Sequence, residues 1–136
     1  MPRRIDVFFY GLFMDVEVLA AKGVEPSNVR RGSVDGYRLL IGRRASLVPD
    51  AASTAHGVVM SLPFAAVHTL YANDGLRDYR PEAVLVELTD GSGAVPALCF
   101  NLVEPPTPHE RDPQYAAKLR ALGERLGLPG EYVRGM

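Results

Sequence analysis

The sequence predicts an α+β domain in which strands dominate: a mixed or antiparallel sheet, open or closed, with a few short helices packed around it. Three observations carry this. Runs of β-branched and aromatic residues recur along the chain. Two of them flank Asp90-Gly91-Ser92-Gly93, a hairpin-type loop. Helical spacing of apolar residues is confined to three short stretches.

Taken in order, residues 5–10, IDVFFY, read as a buried strand that Gly11 breaks. Asp15 has the character of an N-cap for a short helix, VEVLAAKG, ended by Gly23. Residues 25–36, EPSNVRRGSVDG, read as a connection with room for a strand at its end. Residues 36–48 read as extended with turn-like interruptions, and Pro49-Asp50 as a turn. His56–Leu62 is a second clear strand. Residues 64–73 place Phe64, Val67, Leu70 and Tyr71 at helical spacing, with Pro63 in front and Gly75 beyond. Residues 82–88 alternate as a strand, and residues 94–103 return as its hairpin partner. The four prolines in EPPTPHERDP, residues 104–113, exclude regular helix or central strand, so this is an ordered loop. It is expected near the mouth of any site. Residues 114–127 align Tyr115, Leu119, Leu122 and Leu126 on one face, a docked amphipathic helix.

The chain has 136 residues, 47% of them apolar and 23% charged. This suits one globular domain, 1–136, with a core of its own. Fifteen basic residues against sixteen acidic ones leave a net charge of −1, with no pull toward nucleic acid or anionic lipid. Thirteen of the basic residues are Arg, in a chain also rich in Ala, Gly and Pro, as a GC-rich genome produces. The aromatics do not interleave with a basic patch, so no nucleic-acid partner is expected. Cys99 is the single cysteine, which excludes an internal disulfide, and it reads as a small core residue. His56, His68 and His109 lack ligand spacing, so no metal is expected. No stretch reaches the roughly 20 apolar residues of a membrane span. Arg3 and Arg4 before an apolar run superficially resemble a signal peptide, but Asp6, Asp15 and Glu17 argue against one. A cytoplasmic protein is the expectation.

Two constellations have chemical potential. The first is the junction VFFY-GLF-MDVEVLA, where a strand meets a helix through Gly11. Such a junction is either an ordinary turn or a cradle in which unpaired N–H groups hold an anion. With one glycine it is neither a P-loop nor a dinucleotide fingerprint. The second is Asn73-Asp74-Gly75-Leu76-Arg77-Asp78-Tyr79-Arg80, a polar run between a helix and a strand. Asp74 there is a cap, a turn residue, a partner of Arg77 or Arg80, or an acid/base. Ser46 and Ser61 lack a nucleophile-elbow context.

In this order the pieces resemble the γ-glutamylcyclotransferase-like family, which includes the γ-glutamylamine cyclotransferases and the plant AIG2-like proteins. The family opens with a strand ending in Tyr-Gly-Ser, and here stand Phe9-Tyr10-Gly11-Leu12-Phe13-Met14. Its Tyr-x-Leu strand, proline turn and Gly-Val strand match Tyr37-Arg38-Leu39, Pro49 and Gly57-Val58-Val59. Its helix ending Leu-Asp-x-x-Glu-Gly, followed by Tyr and Arg, matches Leu70-Tyr71-Ala72-Asn73-Asp74-Gly75 and Tyr79-Arg80. A closing motif of some members is similar to Tyr115, Gly123, Leu126-Gly127-Leu128-Pro129 and Tyr132.

The resemblance implies a small mixed, partly closed β-barrel flanked by short helices. It implies an enzyme that cyclises the γ-glutamyl group of a small γ-glutamyl amine or amide to 5-oxoproline and releases the amine. No cofactor and no metal is implied, and the partner is the small-molecule γ-glutamyl ligand. Asp74 stands at the family's catalytic glutamate, one methylene shorter. Tyr10, Gly11, Leu12 and Phe13 form the cradle for the substrate's carboxylate and amine, and Tyr79 is a wall or hydrogen-bond donor. Leu12 replaces the serine of Tyr-Gly-Ser, removing a hydroxyl and keeping the N–H. Asp78 and Glu82 are neighbouring carboxylates with the same chemistry on offer. The alternative reading is an impaired homologue that binds a small carboxylated or aminoacylated ligand. As a base in an apolar pocket, Asp74 is expected to have a raised pKa, with Leu12, Phe13 and Tyr79 desolvating it and Arg77 and Arg80 acting oppositely.

Overall fold

The computed structural model describes residues 3–73 and 75–136. Its strands are β1 (Arg4–Phe9), β2 (Ser27–Ile41), β3 (Ala45–Pro63), β4 (Tyr79–Leu88) and β5 (Ala94–Leu102). Its α-helices are α1 (Val16–Ala21), α2 (Phe64–Tyr71), α3 (Pro113–Leu126) and α4 (Gly130–Arg134). The strands close into a barrel in the order β1-β3-β2-β4-β5. Neighbours are antiparallel except at the seam, where β1 runs parallel to β5 and Val7 faces Leu98. The sheet is therefore mixed, as expected, and closed rather than partly closed.

Side-chain alternation sorts the apolar residues to the two faces of this wall. Phe8, Tyr10, Val34, Ala45, Leu47, Ala55, Val59, Val84, Val86, Ala97 and Cys99 form one buried cluster, which fills the barrel. Val7, Phe9, Val58, Met60, Leu62 and Phe100 point the other way. There they meet Leu19 of α1, Leu70 of α2, Leu119 and Leu122 of α3, and Val133 of α4. Strand β1 is thus buried on both sides from Val7 to Phe9, which explains the apolar run there. In β4, only Val84 and Val86 are fully buried, which explains its alternation. Gly57 lets β1 pass close to β3, since a Cβ there would collide with the Phe9 carbonyl.

Two expectations give way. Residues 25–36 are not a connection: most of them belong to the fifteen-residue β2. Pro49-Asp50 does not end a strand, because β3 runs through it. The turn chemistry is real but local. Asp50 accepts from Ala52 N–H at 3.1 Å and from Ser53 Oγ at 2.9 Å. These residues bulge out opposite Gly36 (φ 86°), between the pairs Asp35–Thr54 and Tyr37–Pro49. The ladder resumes beyond the bulge, so the two long strands stay paired.

The helices start and stop where their caps dictate. Asp15 accepts from Glu17 N–H and opens α1, and Asp112 accepts from Tyr115 N–H and opens α3. Gly127, with φ 77°, ends α3 in the left-handed conformation. Helix α4 has no counterpart among the expected elements. Pro63 is both the last residue of β3 and the N-cap of α2. Residues 104–112 carry neither strand nor helix. They pack on the turn between β2 and β3, where Pro106 and Glu110 cover Gly42 and Glu110 accepts from Arg43 N–H at 3.1 Å. Among the described residues, no helix is long and apolar enough to cross a membrane.

Candidate functional site

Where β1 leaves the barrel, the chain turns through Gly11 into a 3-10 turn, Leu12–Met14, before α1. Met14 is buried, and its N–H bonds Gly11 O at 3.0 Å, pinning the turn to the core. Leu12 and Phe13 open the turn and have no backbone acceptor among the described residues. Gly11 itself is not forced by conformation: its φ of −112° and ψ of −152° are open to other residues. A Cβ there would touch Tyr115 Oη at 3.4 Å, so glycine keeps that wall low rather than strained.

A cavity of about 210 Å³ lies against this turn. Its walls include Tyr10, Gly11, Leu12, Phe13 and Tyr79, the five cradle and wall residues that the resemblance implied. Asp74 lies outside the described residues, and so does the expectation for its pKa. Tyr71 and Leu76, on either side of it in sequence, both line the cavity. The two neighbouring carboxylates do not line it. Asp78 is largely exposed and pairs with Arg44 at 3.1 Å. Glu82 accepts from Tyr37 Oη at 2.9 Å and from Asn101 Nδ2 at 3.3 Å.

Phenols and aromatic rings make up most of the remaining wall. Tyr71 stacks on Phe100 with centroids 3.9 Å apart, and Phe13 meets both Phe9 and Tyr71 edge-on. Tyr10 Oη donates to Phe100 O at 2.6 Å, and Tyr79 Oη donates to Ala45 O at 2.6 Å. Tyr79 is therefore a wall whose proton is already committed. Burial pushes the phenols of Tyr10, Tyr71, Tyr79 and Tyr115 above their usual value, so all four are neutral donors. For Tyr79 the nearby Arg44 charge opposes the rise.

Behind the cavity, side chains tie β3 to β5 although the two strands share no ladder. Ser46 Oγ accepts from Leu102 N–H at 3.0 Å, and Asn101 Oδ1 accepts from Leu47 N–H at 3.1 Å. Both residues are buried, so these bonds satisfy backbone donors that the barrel would otherwise leave orphaned. Cys99 is fully buried beside them. Burial and the Glu82 charge push its thiol up to about 12, which makes it inert at neutral pH.

Sequence reasoning missed Arg44, Tyr71, Leu76, Phe100 and Tyr115 as lining residues. Tyr71 and Tyr115 stand in helices where an apolar position predicts only packing. Arg44 gives no local signal, because its role depends on where the β2–β3 turn falls. His68 and His109 are exposed, on α2 and in the proline-rich segment, and His56 meets the Tyr132 ring edge-on.

A closed, mixed five-stranded barrel, with a tyrosine-lined cavity where β1 runs into a glycine turn, defines the class. No protein-family model matches the sequence, and no curated protein matches it. Solved structures do match. A γ-glutamyl cyclotransferase superimposes with a TM-score of 0.79 at 17% identity, over 98% of this chain and 86% of that one. YkqA from Bacillus subtilis gives 0.79 at 24% identity, over 98% of this chain and 52% of that one. An AIG2-like protein from Mus musculus gives 0.60 at 14% identity, over 81% and 89%. The chain has the γ-glutamylcyclotransferase-like fold.

Proposed function

We propose that this protein cyclises the γ-glutamyl group of a small γ-glutamyl amine or amide to 5-oxoproline and releases the amine. One observation carries the reading: in a γ-glutamylcyclotransferase-like fold, the Tyr10–Phe13 turn forms a wall of a cavity of small-molecule size. The reaction is intramolecular. The substrate's α-amine nitrogen attacks its own γ-carbonyl carbon, closing a five-membered ring. Once the neutral amine has added to the carbonyl, a base takes the extra proton from its nitrogen. The C–N bond to the leaving amine then breaks as the same group returns that proton to it. Because the nucleophile is tethered, the protein's task is to hold the ring-closing geometry and move one proton.

In this reading the N–H groups of Leu12 and Phe13 hold the glutamyl carboxylate. The neutral phenols of Tyr10, Tyr71 and Tyr115 border the reacting atoms without adding charge. Asp74 is the acid/base, and Leu12 and Phe13 exclude water from one side. Acid/base transfer needs heavy atoms about 2.6–3.2 Å apart, so the shorter Asp74 has to be carried inward by its backbone.

Leu12 in place of serine and Asp74 in place of glutamate favour a second reading: a binder of small carboxylated or aminoacylated ligands that has lost turnover. One experiment separates the two. Release of 5-oxoproline from a panel of γ-glutamyl compounds is measured for the wild type, Asp74→Asn and Asp74→Glu. The proposal expects release by the wild type and its collapse in Asp74→Asn. Release by Asp74→Glu alone establishes the binder, and equal release by wild type and Asp74→Asn removes Asp74 from the mechanism.

A further inference from the structure

Among the described residues that line the cavity, Arg44 is the only charged one. It stands on the turn between β2 and β3, next to Ala45, whose carbonyl anchors the Tyr79 hydroxyl. Its guanidinium lies over the Tyr79 ring, 5.9 Å from the centroid. Among the described residues its hydrogen bonds run through Nη1 alone, to Gly75 O and to Asp78 Oδ2, both at 3.1 Å. Nε and Nη2, with three further N–H donors, have no acceptor among the described residues. The ion pair with Asp78 is solvent-exposed and holds little.

The backbone beneath this side chain is braced. Gly42 is buried under Pro106 and Glu110, and Glu110 holds Arg43 N–H. The proline-rich segment, expected at the mouth of the site, thus supports the turn that carries Arg44. Around the cavity, Leu12, Phe13 and Leu76 offer apolar surface. A guanidinium edge with unused donors beside such surface complements a carboxylate, which it can engage through two parallel bonds. The same fixed charge repels an ammonium group, so it discriminates in both directions.

We propose that Arg44 is a specificity-determining residue that pairs with a carboxylate on the amine half of the substrate and rejects amine halves that carry a second positive charge. The inference rests on the cyclotransferase reading of the cavity. It commits the glutamyl half to the Tyr10–Phe13 turn and the amine half to the Arg44 side.

The test compares γ-glutamyl-alanine, the isosteric neutral γ-glutamyl-alaninamide and cationic γ-glutamyl-putrescine. Wild type is expected to favour γ-glutamyl-alanine over the amide by about tenfold or more in kcat/KM, the usual scale of a charge-assisted bond, with putrescine last. Arg44→Gln should erase that preference, with a larger rise in KM for γ-glutamyl-alanine than for the amide. Arg44→Lys, which keeps the charge without the fork, should keep the order at reduced size. Equal losses on all three substrates would mean that Arg44 only holds the 75–78 segment or reads the glutamyl half, and would overturn the proposal.

Calorimetric binding of γ-glutamyl-alanine and γ-glutamyl-alaninamide to the same proteins separates this outcome from failure of the catalytic reading. Absence of 5-oxoproline release with Arg44-dependent preference for γ-glutamyl-alanine rejects the enzyme and retains the specificity role. Binding of neither ligand to wild type, or binding that ignores the carboxylate, rejects the specificity role itself.

Discussion

The two sides of the cavity are built on different principles. One side is the end of β1 and its turn: Phe8, Phe9 and Tyr10 are buried, and Met14 ties the turn to the helices behind it. The other side is the segment from Ala72 to Tyr79, where the described residues are exposed or only half-buried. That segment is held by short local bonds, Leu76 N–H to Asn73 O and Tyr79 N–H to Leu76 O, and by Arg44 reaching across to Gly75 O. The first side inherits its position from the hydrophobic core. The second depends on turn chemistry and a few polar contacts. The cavity thus has one wall fixed by the core and one held by local polar contacts, the kind of segment that opens at lower free energy.

The contrast is open to measurement. Phe8→Ala removes a fully buried ring that both fills the barrel and lines the cavity. It should cost about 3–5 kcal/mol, read as a fall in the denaturant midpoint. A loss under 1 kcal/mol would mean that the core does not hold the cradle.

Tyr10→Phe probes the same side by one atom. It strips the hydroxyl from Phe100 O, leaving a buried carbonyl short of a partner, at about 1–3 kcal/mol. Tyr79→Phe, on the half-buried side, should cost less. The alkaline limb of the stability curve sharpens the comparison. Burial raises the Tyr10 phenol above its usual 10.0 and the Cys99 thiol from 9.0 to about 12. The unfolded chain therefore gives up these protons first. The stability they contribute is complete below pH 9 and is lost as pH rises from there through their folded-state values. Denaturant midpoints from pH 8 to 11 should fall, and Tyr10→Phe should flatten the decline. An unchanged slope in that variant would place the alkaline sensitivity elsewhere.

The smallest effect belongs to Asp78→Asn. It breaks an exposed ion pair to Arg44 and should change stability by about 0–1 kcal/mol. A larger drop in the melting curve would show that the outer wall is braced as firmly as the inner one.

How much of this was legible in the sequence follows the same division. Residues 5–10 announce a buried strand because every position is apolar or aromatic save Asp6, and burial on both faces requires that. The β4–β5 hairpin shows itself through Asp90-Gly91-Ser92-Gly93, α1 through Asp15, and α3 through the apolar face of Tyr115, Leu119, Leu122 and Leu126, while the caps of α3 at Asp112 and Gly127 went unread. The turn at Gly11 was visible as a strand, a glycine and a helix start in succession, and its cradle role was implied by the family resemblance. Residues 27–35 concealed a strand because their polar and charged side chains face solvent on a wall whose other face is covered. Pro49-Asp50 signalled a turn that the barrel absorbed as a bulge.

The sequence by itself determined β1, the β4–β5 hairpin and the helices α1 to α3, because those signals act over a few residues, and the family resemblance pointed to Tyr10–Phe13. Only the tertiary structure decided that β1 closes on β5, that Ser46 and Asn101 serve backbone groups more than fifty residues away, and that Arg44 stands beside Tyr79. The physical reason is closure itself. A barrel's register is set by side chains that fill it from all five strands together, so which distant residues share a cavity is a property of the packed whole.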